Sequence, residues 1–434
     1  MRYSMGEFYR FLHWGPLTAI GIIKTITLTT LYMNSMWWPP NSTITAFLNQ
    51  AIFLLFSTLA TCNFALATLT GPGILPRKWQ PKNSVGTDLL QFCKECDGYK
   101  APRSHHCRKC NRCVKKMDHH CPWINHCVGW ANHAYFSFFL FFSIIGSIHG
   151  AIILMCSFYR GIHRYWYLTH GLYDLANVQF TMFTFVLCII AMGLAIGVSI
   201  ALTMLLYFQL KSILTNQTGI ELWIMEKALY RRKFNPEIPE FKYPYDLGVR
   251  RNIQQVFQKS CLMKGDGVEW PVIDGCNQYT LTREQLAQKF EKRARTKTFK
   301  CIRPATGRIL PLFSQGCRVC MSPPCTDEPR IRLLPGDVIK VTRFRKHWLF
   351  GERVLDDVKL NAKKMKRKGP IRGWFPRRCA IELITPDHMS DSDSVEDLDN
   401  LKISKKLVND LNAKNHNANN GKIKEQQKNG KKRN

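Results

Sequence analysis

Hydrophobic residues gather along this chain in four runs, at 16–38, 44–69, 135–158 and 180–210. Each exceeds the roughly 20 helical residues that cross a bilayer. The first is the least apolar, with a Thr-rich middle and Lys24 as its charge; the second stops at the helix-breaking Gly71-Pro72-Gly73. One such run fits a buried core helix, but four in one chain favour membrane spans. The first two are joined by the short, uncharged Pro39-Pro40-Asn41-Ser42-Thr43. The second and third are separated by a basic stretch of roughly 65 residues.

Beyond residue 211 the pattern becomes that of a soluble chain. An amphipathic helix is expected over 221–232 at the membrane surface, with Leu222, Trp223, Met225 and Leu229 along one side. Turn formers crowd the stretch from Phe241 to Gly248, and short β runs occupy 310–383. The tail past Pro386, rich in Asn, Lys, Ser and Asp, is expected to be disordered. The predicted fold class is therefore a multi-pass α-helical membrane protein with four transmembrane helices, a Cys-rich domain and a C-terminal all-β domain. Its expected divisions are an N-terminus (1–15), helices 1 and 2 (16–70), the Cys-rich domain (71–134), helices 3 and 4 (135–210), a membrane-proximal region (211–309), the β domain (310–386) and the tail (387–434).

Charge orients this layout. The formal net charge is +31, from 62 Lys and Arg against 31 Asp and Glu. A nucleic-acid reading would follow if the charge formed one patch. Instead it avoids the apolar runs and fills the Cys-rich loop and the C-terminal half, as the positive-inside rule describes. Both termini and the loop are thus expected in the cytosol, with the short connections lumenal. Residues 1–14 are polar-aromatic and do not read as a cleavable signal peptide. Asn41-Ser42-Thr43 is a formal glycosylation sequon, expected to be unused so close to the membrane.

Of 17 cysteines, seven fall between Cys93 and Cys127, mixed with His and Lys. In a cytosolic loop that pattern means metal or thiol chemistry rather than disulfides. Cys pairs two apart let one turn present two thiolates to a tetrahedral zinc. With one Cys held back for chemistry, six Cys and two His make eight ligands, enough for two closed sites. A RING domain also binds two zincs, but it closes with a second Cys-x2-Cys pair, whereas Cys121 and Cys127 are separated by five residues. Asp118-His119-His120-Cys121 is a compact nucleophile set. His119 can act as base, Asp118 can hold its tautomer, and Lys115 and Lys116 can favour a thiolate. The competing reading makes all four zinc ligands or their supports, and His120 fits a ligand in either case.

The run Cys-x2-Cys-x9-His-Cys-x2-Cys-x2-Cys-x4-Asp-His-His-Cys-x5-Cys, from Cys93 to Cys127, resembles the Cys-rich domain of the DHHC protein S-acyltransferases at every motif position. The resemblance implies that Cys121 accepts a long acyl chain from acyl-CoA, palmitoyl-CoA above all, and passes it to a cysteine of a membrane-associated protein substrate. His119 would be the base and Asp118 its orienter. It implies two structural Zn2+ ions, one on Cys93, Cys96, His106 and Cys113, the other on Cys107, Cys110, His120 and Cys127. The acyl tail would lie among the four helices, in the lipid bilayer. Two outlying family motifs are altered: Asp-Pro-Gly stands as Gly71-Pro72-Gly73, and Thr-Thr-x-Glu as Thr218-Gly219-Ile220-Glu221. Asn252 resembles the family's C-terminal Asn, which helps pack this region against the membrane domain.

From Arg330 to Val341, then through Trp348 to Gly373-Trp374-Phe375-Pro376, the chain resembles an SH3 domain, implying a Pro-rich ligand or accessory protein as partner. Trp348 and Pro376 stand at groove positions, while Cys379 replaces a common Tyr. Beside this domain Cys317, Cys320 and Cys325 have three readings: buried small hydrophobes, a further zinc site with Cys301, or S-acylated regulatory cysteines. Ser390, Ser392 and Ser394 lie in an acidic, solvated stretch that phosphorylation would suit. Lys431 and Lys432 resemble a dilysine retrieval signal, placing the chain in the endoplasmic reticulum membrane, as in the family's SH3-bearing member. The leading function is a protein S-palmitoyltransferase; the alternative is a catalytically silent zinc and SH3 membrane scaffold. A transporter lacks support, because the spans hold hardly an ionisable group beyond Lys24 and His149.

Overall fold

The four apolar runs fold into long helices: α1 (Trp14–Trp37), α2 (Ile44–Thr70), α3 (His133–Ile162) and α4 (Met182–Leu214). All four are long and apolar enough to cross a membrane. The computed structural model describes residues 8–82, 86–258, 265–308, 316–326, 328–354 and 372–383. Helix ends depart from the hydropathy edges by a few residues, because caps and not hydrophobicity satisfy the terminal N–H groups. His13 Nδ1 accepts from Gly15 N at 3.3 Å at the start of α1, and Thr43 Oγ1 from Ala46 N at 3.1 Å at the start of α2. Thr181 and Thr184 form a reciprocal capping box at α4.

Helix α3 is the centre of the bundle: half of its apolar window is buried, against 17% for α4. Small residues allow this. A Cβ on Gly150 would come within 3.2 Å of Thr30 Oγ1 and 3.3 Å of Ile26 on α1. Polar side chains bond between helices, as is general where lipid satisfies nothing. Thr27 and Ser57 lie 2.7 Å apart, Trp37 Nε1 donates to Ser157 Oγ at 2.8 Å, and His149 Nε2 donates to Asn49 Oδ1 at 2.8 Å. The intramembrane His149 is thus a packing contact.

Between α2 and α3 the Cys-rich segment folds as three antiparallel hairpins: β1 (Phe92–Cys93) with β2 (Gly98–Tyr99), β3 (His105–Cys107) with β4 (Arg112–Val114), and β5 (His119–Cys121) with β6 (His126–Val128). Gly71-Pro72-Gly73 leads into it. Gly71 (φ 67) ends α2, and a Cβ on Gly73 (φ 81) would sit 2.8 Å from the Trp130 ring, so glycine is required at the latter. Asn132, whose Nδ2 donates to Ala67 O and Cys127 O, ties this segment to the end of α2.

After α4 comes α5 (Gly219–Phe234), opened by a Thr218–Glu221 capping box. Its packed face differs from the expected one. Glu221, Ile224 and Ala228 are buried, while Trp223 and Leu229 are exposed. The reason is Glu221, which the hydropathy pattern treats as surface but which pairs with a buried arginine (below). Asn252, on the short α6 (Val249–Gln254), donates to Leu214 O at 2.7 Å and accepts from Leu247 N at 2.9 Å, packing this region onto the end of α4. Helix α7 spans Thr280–Ala294.

The chain divides into two compact units, Met1–Gln288 and Lys289–Asn434. The second is built on an antiparallel sheet of β7 (Lys297–Cys301), β10 (Val338–Phe344), β11 (Trp348–Val354), β12 (Arg372–Pro376) and β13 (Ala380–Glu382), in the order β12-β11-β10-β7-β13. A second pair, β8 (Ala305–Thr306) and β9 (Arg332–Leu333), lies beside it in sequence. The sheet therefore recruits a strand from Lys297 onward, ahead of the stretch where β runs are legible. Phe299, Leu333, Ile339, Val341, Leu349 and Phe375 supply its core. Trp348 is only 1% exposed, with its indole N–H donating to Val319 O at 3.1 Å. It is not a surface groove residue as expected, because the turn Cys317–Cys320 covers it.

Candidate active site

A strand alternates its side chains between two faces, and this separates the two histidines of Asp118-His119-His120-Cys121. On β5, His120 points one way and His119 and Cys121 the other. His120 lies opposite Cys127 on β6. Its Nδ1 is 3.6, 3.4 and 3.7 Å from the sulfurs of Cys107, Cys110 and Cys127. On the neighbouring hairpin His106 lies opposite Cys113. Its Nδ1 is 3.5, 3.4 and 4.0 Å from Cys93, Cys96 and Cys113.

Both quartets, Cys93–Cys96–His106–Cys113 and Cys107–Cys110–His120–Cys127, hold their donor atoms within 4.8 Å of one another. Zinc bonds of about 2.3 Å to sulfur and 2.0–2.1 Å to nitrogen at a tetrahedral angle put S and N about 3.6 Å apart. The spacings match. The donor set also wants a cation: hydrogen bonds from its neighbours hold the Cys107 thiol far below its usual range, and the same contacts drive Cys127 far above. Crowded thiols cannot all ionise without a metal to share. Among the described residues no other group of this kind is found, so Cys301 and the Cys317–Cys325 cluster are not a third zinc site there. The Cys93–Cys96 and Cys107–Cys110 turns are each followed by a left-handed residue, Asp97 (φ 52) and Asn111 (φ 50), the types that tolerate it.

On the other face, His119 Nδ1 donates to Asp118 Oδ2 at 2.8 Å, and Cys121, two residues along β5, shares that face. Burial pulls the His119 imidazolium down, but Asp118 and Cys121 outweigh it and raise the ring to about 9. Asp118 is itself held far below the usual carboxylate range, burial notwithstanding, by bonds from His119 and Gly219 N. Cys121 is 4% exposed and packs with Ala19, Phe64, Ile124, Phe136 and Leu140. Helix α1 closes over it: a Cβ on Gly15 would fall 2.0 Å from Pro122 O.

From Cys121 a cavity of about 270 Å3 extends between the helices, lined by Ile26, Thr27, Phe53, Ser57, Phe139 and Leu140 among others. From the level of Gly15, beside Pro122, to Thr27 the rise along α1 is about 18 Å. A buried thiol with an oriented imidazole thus opens onto a long apolar slot.

A family model described as DHHC palmitoyltransferase matches residues 86–226. Palmitoyltransferase ZDHHC6 of Homo sapiens is 42% identical over 387 residues, spanning 87% of this chain and 92% of that protein. The chain belongs to the DHHC palmitoyltransferase family. Palmitoyltransferase ZDHHC6 of Danio rerio is 41% identical over 406 residues, 91% of this chain and 96% of the relative. Palmitoyltransferase PFA4 of Mycosarcoma maydis is 35% identical over 252 residues, about half of each chain.

Within this DHHC protein, sequence reasoning missed a buried network behind the hairpins. Arg103 and Glu221 are both fully buried, and the guanidinium donates from Nε (2.6 Å) and Nη2 (2.7 Å) to the two carboxylate oxygens. Asn216 accepts from Arg103 through its side chain and its backbone oxygen, Tyr243 Oη donates to Glu221 at 2.8 Å, and the guanidinium stacks on the Tyr245 and Trp270 rings. Burial and the Arg103 charge push the neighbouring Lys116 ammonium down to about 7. The altered Thr-Thr-x-Glu motif explains part of this: Thr218 and Glu221 still cap α5. The glycine between them gives up only a side chain, since its backbone N–H is what bonds Asp118, at 3.0 Å. Of the three C-terminal cysteines, Cys317 and Cys325 are exposed and Cys320 is buried. Lys431 and Lys432, and Ser390, Ser392 and Ser394, fall outside the described residues.

Proposed function

We propose that this membrane enzyme is a protein S-palmitoyltransferase working through an acyl-enzyme at Cys121. The observation that carries this reading is the shared strand face of His119 and Cys121, with Cys121 lining the apolar cavity. His119, oriented by Asp118, takes the Cys121 thiol proton ahead of the attack and holds it while sulfur attacks the thioester carbonyl of palmitoyl-CoA. The C–S bond to CoA breaks and the CoA thiol departs with a proton. A substrate cysteine then repeats the exchange and leaves with the acyl chain, a ping-pong scheme. The acyl chain occupies the cavity, where each buried methylene contributes about 0.8 kcal/mol. Cys93, Cys96, His106 and Cys113 hold one Zn2+, and Cys107, Cys110, His120 and Cys127 the other. Both ions are structural: they fix hairpins too short to stand on a core of their own.

The divisions expected from the sequence accompany this proposal, with the Cys-rich domain and both termini cytosolic and the dilysine Lys431-Lys432 returning the protein to the endoplasmic reticulum. The five-stranded sheet supports an SH3-like reading of the second unit. With Trp348 buried beneath Val319, a Pro-rich ligand or accessory protein would have to displace that turn or use another face. If the unit is itself S-acylated, the exposed Cys317 and Cys325 are better acceptors than Cys320.

The test is to incubate purified protein with a clickable palmitoyl-CoA and a cysteine-bearing membrane-protein substrate. Hydroxylamine-sensitive label on the enzyme, chased to the substrate, with parallel double-reciprocal plots, is expected. A wild type that takes no label would favour the scaffold. The depth of the cavity makes a second prediction. Ser57→Phe fills the end away from Cys121 and should shift preference from 16-carbon toward about 12- to 14-carbon donors, by about 15- to 200-fold in relative rate if two to four methylenes lose their place. Competition between acyl-CoAs of different length reads this directly.

A further inference from the structure

Asp118 is held from three sides, and two of its donors come from beyond the Cys-rich segment. Its Oδ2 accepts from His119 Nδ1 at 2.8 Å and from Gln209 Nε2, near the end of α4, at 3.2 Å. Its Oδ1 accepts from the backbone N of Gly219, the first residue of α5, at 3.0 Å. Gln209 is 4% exposed on a largely apolar helix, and a buried amide is costly there unless both ends are bonded. Both are: its Oε1 lies 2.9 Å from His133 Nε2, at the start of α3. An amide oxygen can only accept, so His133 donates, and this fixes which end of the amide faces Asp118.

We propose that Gln209, locked by His133, and the Gly219 N–H are positioning groups that hold the Asp118 carboxylate in the orientation the His119 base requires. The inference rests on the reading of His119 and Cys121 given above. A carboxylate bonded at one oxygen alone can still turn about its Cβ–Cγ bond. Donors on both oxygens, from two different elements, remove that freedom, and with it the freedom of the imidazole. The start of a 16-residue helix adds a favourable field for the anion. Through these two bonds the junction of α4 and α5 and His133 at the start of α3 act on the base, although Gln209, His133 and Gly219 are not among the residues that line the cavity with Cys121.

Gly219 permits a sharp test. Proline is favoured at the first position of a helix, where its missing N–H has no intrahelical partner. Thr218 (φ −72, ψ 161) already has the extended backbone that precedes proline. Gly219→Pro therefore preserves α5 while replacing the donor to Asp118 with a ring carbon. Gly219→Ala keeps the donor, and its Cβ meets nothing within 4 Å. Gln209→Met keeps length and burial without a donor.

The experiment measures single-turnover acylation of the full-length protein over a range of palmitoyl-CoA concentrations, with zinc content and melting temperature for each variant and Cys121→Ala alongside. Gln209→Met and Gly219→Pro should each lower the maximal rate by about tenfold or more, as loss of a bond to a charged group implies. The half-saturating donor concentration should stay within about twofold, with both zincs retained, and Gly219→Ala should match wild type. Positioning is overturned if the rates stay at wild type, if Ala is as damaging as Pro, or if the loss tracks zinc or donor affinity. Label persisting in Cys121→Ala would instead overturn the acyl-enzyme reading itself.

Discussion

Cys121→Ser should take no hydroxylamine-sensitive label from palmitoyl-CoA, while keeping two zinc ions and a near wild-type melting temperature. The side chain is 4% exposed among Ala19, Phe64, Phe136 and Leu140, and serine is the smallest change that removes the sulfur. Cys121 also lies outside both metal quartets, so no ligand is lost. The hydroxyl ionises far less readily than a thiol, and an oxygen ester would resist hydroxylamine under mild conditions, so both routes to label close. His119→Ala should behave differently. Removing a general base typically lowers a rate by about 10^2–10^4-fold, leaving slow labelling that Cys121→Ser lacks. His120→Ala, one residue along and on the opposite face of β5, should lose a zinc before it loses anything else. Labelling kinetics and metal analysis on the three variants separate the two faces of one strand. If Cys121→Ser labels as wild type does, the nucleophile is elsewhere.

Arg103→Met should be the most destabilising single change in the first unit outside the metal ligands. Arg103 and Glu221 are fully buried, and removing one partner of such a pair costs about 3–5 kcal/mol because the other charge is left without compensation. Glu221 would keep only Tyr243 and the Thr218 N–H as donors. The consequence reaches chemistry, since the helix start that Glu221 caps also presents Gly219 N to Asp118. Acylation should therefore fall with stability. The double variant Arg103→Met, Glu221→Met should recover much of the loss, because replacing a buried ion pair by apolar residues of similar volume is often close to neutral. Thermal unfolding in detergent checks both. A single variant as stable as wild type would mean that the pair is more hydrated than its burial indicates.

The parts of this protein legible in its sequence are those fixed by local spacing. Hydropathy located the four helices to within a few residues, because a bilayer span has a minimum length and few tolerated charges. The ligand residues were legible because a tetrahedral ion demands four donors and a two-residue turn supplies them in pairs. His119 and His120 could be told apart in principle by the period of a strand, provided the short β5 was recognised. The His105–His106 choice needed the family resemblance, and the structure agrees through His106 facing Cys113.

What the sequence hid are the contacts between residues far apart along it. Glu221 reads as a solvent-facing residue of an amphipathic helix until Arg103, 118 positions away, is placed against it. Gln209 reads as the polar end of a span until Asp118 and His133 occupy its two ends. Trp348 reads as a groove aromatic until Val319 covers it. Thus the sequence alone determined the apolar spans and the set of Cys and His available to a metal, since these follow from composition and short-range spacing, while the assignment of Cys121 as the reactive thiol came from the family resemblance. Only the tertiary structure decided which buried charges are paired, which face of α5 packs and what orients Asp118, because those depend on distances that close only when remote segments meet.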